Sequence, residues 1–256
     1  MANKIYVIVN TKGGVGKSLT SVTVASLLHE AGKKFKLIEI DDNNESLKFS
    51  SSDFLTTENT ESFKVDQKDD VTADIFFDLM SDPELDYVVD LGGGNDAKVV
   101  KMLQGDDRFD ITYIIPSLKT KKFIKNADET FELINDAENT IYLLNGYTKE
   151  DIEEEFVYFF GSKKFAIKSA SQYFDTKRYL SIPDSNAFQF AEDMEMTLLD
   201  LAGISREMTE REANDMFFQQ ADGNRMKYRQ LRTQYLQSVE ANRTFEEIKS
   251  DFKILF

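Results

Sequence analysis

Residues 5–18 read Ile5-Tyr6-Val7-Ile8-Val9-Asn10-Thr11-Lys12-Gly13-Gly14-Val15-Gly16-Lys17-Ser18. The first five are apolar and rich in β-formers, the mark of a short buried strand. The glycines that follow let the backbone turn tightly and point its N–H groups inward. Ser18 to Glu30 then reads as a helix. Strand, glycine loop and helix in that order make a cradle for phosphate. The helix aims its positive end at the anion, Lys17 offers a point charge to β- and γ-phosphates, and the Ser18 hydroxyl can ligate Mg²⁺. Counted strictly, the first glycine of the general phosphate-loop pattern falls on Thr11, so the loop is a tighter variant.

Working outward, further strands are read at Phe35–Ile40, Tyr87–Leu91, Ile111–Ile115, Ile141–Leu144 and Tyr179–Ile182, with a short one at Phe63–Val65. Helices are read at Ala73–Met80, Ala97–Leu103, Phe123–Asn135, Lys149–Phe160 and Asn186–Leu201. Apolar strands alternating with helices call for an α/β fold, a doubly wound and mostly parallel sheet covered on both faces. After Gly203 the strands stop and two or three polar helices follow. The expectation is an α/β core over residues 1–203, with a helical C-terminal region, 204–256, packed on the same domain.

Two strands end in carboxylates. Leu37-Ile38-Glu39-Ile40 runs into Asp41-Asp42-Asn43, and Tyr87-Val88-Val89 runs into Asp90. A carboxylate at the carboxyl end of a parallel strand lies at the ligand edge of the sheet. There Asp90 can hold Mg²⁺ through water. Leu91-Gly92-Gly93-Gly94-Asn95-Asp96 follows as a pliable loop suited to switching.

At Lys12-Gly13-Gly14-Val15-Gly16-Lys17-Ser18 the chain resembles the ParA/MinD family of ATPases with a deviant Walker A loop, most of all the ParA-type partition ATPases. The resemblance implies a P-loop NTPase fold and ATP with Mg²⁺ as cofactors, held by Gly13, Gly14, Val15, Gly16, Lys17 and Ser18. It also implies that Lys12 is a signature lysine reaching the phosphates of a second subunit, which would couple an ATP-dependent homodimer to hydrolysis. Lys12, Lys17 and Asp41 become the catalytic group, with Asp41 orienting the attacking water. Ser18, Asp41 and Asp90 become the metal group. The second motif departs from the family pattern: Glu39 replaces an aspartate, and Asp42-Asn43 replace Pro-Gln. Asn145, closing Ile141-Tyr142-Leu143-Leu144, resembles the asparagine that reads the adenine edge, with a plain turn residue as the alternative. Ile182-Pro183-Asp184-Ser185 resembles the loop beside the base, which nominates Pro183. The resemblance covers roughly residues 1–200, and adenine rather than guanine rests on it alone.

The formal net charge is −15 and the pI about 4.6, so nucleic acid and anionic membranes repel the chain on average. Any such contact needs a local basic patch. Arg225, Lys227, Arg229 and Arg232 surround Tyr228, and three of them share one helix face. This is either a DNA-phosphate patch or a solvated helix face. Lys119, Lys121, Lys122 and Lys125 form a second cluster, and Asp151–Glu155 reads as a helix exterior. Phe245, Ile248, Phe252 and Leu255 recur at helical spacing near the end. Glu246, Glu247 and Asp251 beside them suit docking on protein rather than on a membrane surface.

There is no cysteine and one histidine, His29. Structural disulfides, thiolate sites and multi-histidine metal sites are therefore excluded. No apolar run approaches the roughly eighteen residues of a membrane span, and no signal-peptide pattern opens the chain. A cytoplasmic protein is expected, with membrane contact disfavoured. The favoured reading is a partition ATPase whose ATP-bound dimer engages non-specific DNA or a centromere-binding adaptor protein and is reset by slow, partner-stimulated hydrolysis. A MinD-like positioning or adaptor ATPase acting on a membrane or protein partner without DNA is the alternative. A metabolic ligase or amidotransferase on the same fold is a third class, and Lys12 argues against it.

Overall fold

The computed structural model describes residues 4–41, 49–64, 79, 81–82, 84–92, 96–105, 109–148, 151–169 and 178–256, without the side chains of Asp41 and Lys64. The helix expected at Ala73–Met80 lies outside this set, apart from Leu79. The chain divides into two compact units, Met1–Leu47 with Thr57–Asp184, and Lys48–Thr56 with Ser185–Phe256.

Among its described residues the first unit holds seven strands: β1 (Lys4–Ile8), β2 (Phe35–Asp41), β3 (Thr60–Lys64), β4 (Asp86–Leu91), β5 (Asp110–Ser117), β6 (Thr140–Tyr147) and β7 (Tyr179–Pro183). They form one sheet in the order β3-β2-β4-β1-β5-β6-β7. Every pairing is parallel. Ile5 to Val9 are fully buried, as a central strand covered on both faces requires. β1 is flanked by β4 and β5, so the strand order reverses there. That reversal opens a crevice at the carboxyl edge, where ligands of open α/β sheets bind. The edge strand β3 has the sequence Thr-Glu-Ser-Phe-Lys. Its single large apolar residue explains why sequence pattern locates it only at Phe63–Val65.

Among the described residues the helices of this unit are α1 (Lys17–Glu30), α2 (Asp96–Gln104), α3 (Lys121–Ile134), α4 (Ile152–Glu155) and α5 (Val157–Phe160). α1 is buried almost all round, from Thr20 to Leu28. Its hydroxyls would be costly there unless bonded. Thr20, Thr23 and Ser26 donate to the carbonyls of Gly16, Leu19 and Val22 at 2.7–2.8 Å. The helix expected over Lys149–Phe160 is instead two short turns, broken at Phe156. Phe156 and Phe159 are both fully buried, and the Phe159 ring lies 5.4 Å from that of Tyr142. Burial of these rings dictates the break, against the local helical pattern.

The second unit holds α6 (Asn186–Asp193), α7 (Leu198–Arg206), α8 (Glu210–Ala221) and α9 (Arg225–Asp251), with a closing 3₁₀ turn, Phe252–Leu255. The single helix expected at Asn186–Leu201 is divided. Glu195 takes a φ of 54°, and Thr197 starts α7 through a reciprocal capping box with Asp200. α9 packs along α7. Ser205 donates to the Ser238 carbonyl at 3.0 Å, and the Arg206 guanidinium lies 5.5 Å from the Phe245 ring centre. Phe245, Ile248, Phe252 and Leu255 are all buried. No helix among the described residues is long and apolar enough to cross a membrane.

Candidate phosphate-binding site

The site is built at the carboxyl edge of β1. Asn10 leaves the strand fully buried. Its side chain accepts from the Lys12 N–H at 2.9 Å and donates to the Pro116 carbonyl at 2.8 Å. The loop then passes through exposed Thr11 to Gly14 and returns at buried Val15. Gly16 closes it with φ 93° and serves as N-cap of α1. A Cβ there would stand 2.0 Å from Asn145 Nδ2 and displace it, and the positive φ favours glycine whatever the space.

No side chain caps α1, and no acidic residue lies in its first turn. The N–H groups that open a helix have no intrahelical partner. They face the loop together with the helix's positive end. The Lys17 ammonium folds over the loop, 3.1 Å from the Asn10 carbonyl and 3.4 Å from that of Lys12. Nothing stands within 4 Å of where a Cβ on Gly13 or Gly14 would lie. Unclaimed amides, a tethered ammonium and open glycine backbone fit a polyphosphate.

Asp90, the penultimate residue of β4, has only 3% of its surface exposed. The Ser21 hydroxyl lies 3.1 Å from Asp90 Oδ2 and 3.0 Å from the Ser18 carbonyl. Nothing in the local sequence marks this serine. Its position, one turn beyond Ser18, ties the aspartate to the start of α1. Among the described residues no three histidine or acidic side chains cluster as a metal cage. Mg²⁺ does not need one, because it keeps waters and takes one or two protein ligands beside the phosphates. Ser18 and Asp90 suit that role.

Glu39 is buried and accepts from the Ser62 hydroxyl at 3.1 Å. It sits opposite Asp90 in the β2–β4 register. β2 reaches the carboxyl edge at Asp41, whose side chain lies outside the described residues, as do Asp42, Asn43 and Gly93 to Asn95.

Asn145 does not hang free at the end of β6. Its Nδ2 donates to the Val15 carbonyl at 3.2 Å. A register shift follows in the β6–β7 pairing, where Tyr147 lies opposite Pro183. Gly146 takes a φ of 82° at this bulge, which re-aims the strand end. Glu155 reaches back to Thr148, accepting from its N–H at 2.8 Å and its hydroxyl at 2.9 Å, and from Lys119 at 3.0 Å. Burial pushes the Glu155 carboxyl up, but these donors outweigh it and hold the group below its ordinary value. Glu155 therefore ties two loops together, whereas the sequence alone assigns it to a solvated exterior. Lys119 is thereby paired, as Lys125 is with Glu129, which weakens the second basic cluster as an anion site.

In the second unit Arg225, Lys227, Arg229 and Arg232 are exposed on α9 and make no ion pair among the described residues. Three of them, with Phe190, Met194 and Leu231, line a groove of about 890 Å³.

Residues 6–198 match the family model described as the CobQ/CobB/MinD/ParA nucleotide binding domain. No curated protein sequence matches the chain. Among solved structures the chain is similar to the cell division ATPase MinD of Pyrococcus furiosus (TM-score 0.56, 12% identity, 100% of both chains covered). It is also similar to the septum site-determining protein MinD complexed with Mg-ADP from Pyrococcus horikoshii OT3 (TM-score 0.54, 13% identity, 99% of this chain and 97% of that one). A third likeness is to the MinC:MinD cell division protein complex of Aquifex aeolicus (TM-score 0.50, 17% identity, 77% of this chain and 88% of that one). At these identities the likeness is one of fold.

Proposed function

The chain belongs to the CobQ/CobB/MinD/ParA nucleotide-binding family, and from that membership we propose that it is a ParA-like partition ATPase, switched by ATP between a monomer and a sandwich dimer. The observation that carries this reading is the pair of lysines in one loop. The Lys17 ammonium is bonded within the loop, while Lys12 is exposed and makes no ion pair among the described residues. An ammonium kept free beside a phosphate cradle is suited to a neighbouring subunit's nucleotide. Delivered there, it stabilises charge on the transferring phosphoryl group.

In this reading the amides of Gly13 to Ser18 and the Lys17 ammonium hold the phosphates. Ser18 and Asp90 hold Mg²⁺, which when bound neutralises phosphate charge. Asp41 orients the attacking water, and Pro183 lies on the nucleoside side. A centromere-binding adaptor stimulates hydrolysis and resets the dimer in the cytoplasm.

Lys12→Ala is expected to bind ATP within a few-fold of wild type but to stay monomeric with it, as read by light scattering. Its turnover should fall about a hundredfold or more. A Lys12→Ala protein that dimerises normally with ATP would exclude the trans role.

DNA contact is assigned to the unpaired cations of α9. Each phosphate neutralised adds about one unit to the salt slope of binding. Arg225→Ala with Arg229→Ala should weaken ATP-dependent DNA binding and flatten that slope by about two, in anisotropy titrations across a salt series. Unchanged binding would remove this patch from the interface.

A second reading, a MinD-like adaptor acting on a protein partner without DNA, draws support from two observations. The net charge is −15, and apolar Phe190, Met194 and Leu231 share the groove with the arginines. Lack of any ATP-dependent DNA binding by the wild-type dimer would favour it.

A further inference from the structure

The phosphate loop is tied at both of its ends by asparagine side chains. At its entry, Asn10 joins the Lys12 N–H to the Pro116 carbonyl of β5. At its exit, Asn145 of β6 donates to the Val15 carbonyl. The second tie spans 130 residues of sequence and comes from a strand two places away from β1 in the sheet. Asn145 is 8% exposed, and its Nδ2 occupies the space that a side chain on residue 16 would fill. The bulge at Gly146 directly follows it. Between the two ties lie Gly13 and Gly14, the open part of the cradle.

From this geometry we infer that Asn145 is a positioning residue for the phosphate loop, holding Val15 and Gly16 in the shape that receives a polyphosphate, rather than a reader of the base. The inference rests on the nucleotide-binding reading above. Its physical basis is pre-organisation: a loop already held in its binding shape loses less freedom when the anion arrives. Removing the amide leaves the buried Val15 carbonyl without this donor, and an unpaired buried carbonyl is costly. The loop would relax toward solvent and spread its amides. That loss falls on the phosphate chain, so it is the same for every nucleotide.

The test uses the full chain and three probes: Mg·ATP, Mg·GTP and Mg·tripolyphosphate, titrated by calorimetry. Asn145→Ala should weaken all three by the same factor, about tenfold, the effect of one net hydrogen bond at the strong end of the usual range. Asn145→Asp keeps the size but offers Val15 no donor, and should weaken all three at least as much. In turnover, KM should rise for ATP and GTP alike, with the preference between them unchanged. Loss of ATP affinity with tripolyphosphate affinity intact would overturn the inference in favour of base reading, and so would wild-type affinities throughout.

Hydrogen exchange of residues 13–18 in nucleotide-free protein gives an independent readout. Exchange there should quicken in Asn145→Ala, while β4 exchange under native conditions stays close to wild type. Unchanged loop exchange overturns the latch even if the wild-type protein binds no nucleotide. Absence of wild-type binding to both ATP and tripolyphosphate would instead bring down the proposed function, so the two failures are distinct.

Discussion

Lys17→Ala is expected to abolish ATP turnover, lowering it about a thousandfold or more, while leaving the fold in place. Among the described residues the ammonium is bonded only to backbone carbonyls of the loop, those of Asn10 and Lys12. It stands at the start of α1, where a phosphate would meet both the helix end and this charge. Removal of a preorganised group that meets developing charge commonly costs two to three orders of magnitude, roughly 100- to 1,000-fold. A full positive charge facing a triphosphate belongs at the upper end. The side chain is only half-buried, so its loss leaves no large cavity. Steady-state phosphate release and a thermal melt, run on the same samples, separate the two effects. Substantial turnover in Lys17→Ala with a wild-type melt would sink the assignment of this loop as the catalytic one.

Gly16→Ala is expected to be as damaging to nucleotide binding and, unlike Lys17→Ala, to destabilise the protein. The backbone at Gly16 has φ 93°, which an L-residue adopts only under strain. Strain of that kind costs about 1–3 kcal/mol. The new methyl would also stand 2.0 Å from Asn145 Nδ2, so the asparagine must withdraw and release the Val15 carbonyl. Both consequences distort the amides of the cradle. ATP affinity should fall at least a hundredfold, and the denaturant midpoint should drop in step with the strain. A Gly16→Ala protein with wild-type ATP affinity would show that the loop does not need this conformation to hold phosphate.

Most of the sheet can be read from sequence because its strands are buried on both faces. Ile5–Val9 and Tyr87–Val89 announce themselves as unbroken apolar runs. The phosphate loop is legible for a different reason: its chemistry lies within seven consecutive residues, Lys12 to Ser18. What is not legible depends on partners far along the chain. Asn145 can be placed at a strand end, but its contact with Val15 requires the sheet order and the bulge at Gly146. Ser21 looks like one more hydroxyl in a Ser- and Thr-rich helix until Asp90 is set beside it.

The helix breaks fall between these cases. That at Phe156 follows from tertiary burial, which overrides local propensity. That before α7 had a local signal, Thr197 followed three residues later by Asp200, which apolar periodicity alone does not detect.

The placement of β1 between β4 and β5 has a consequence for how the chain acquires its structure. This strand has no neighbour in the sheet until residues 86–91 and 110–117 have followed it. Long-range pairing of this kind pays its loop-closure entropy before any contact repays it, and so assembles slowly. During synthesis Ile5 to Val9 wait as an unsheltered apolar stretch, the sort of segment that invites aggregation or chaperone capture. The Asn145 tie comes later still, so the nucleotide cradle is among the last features of its unit to mature.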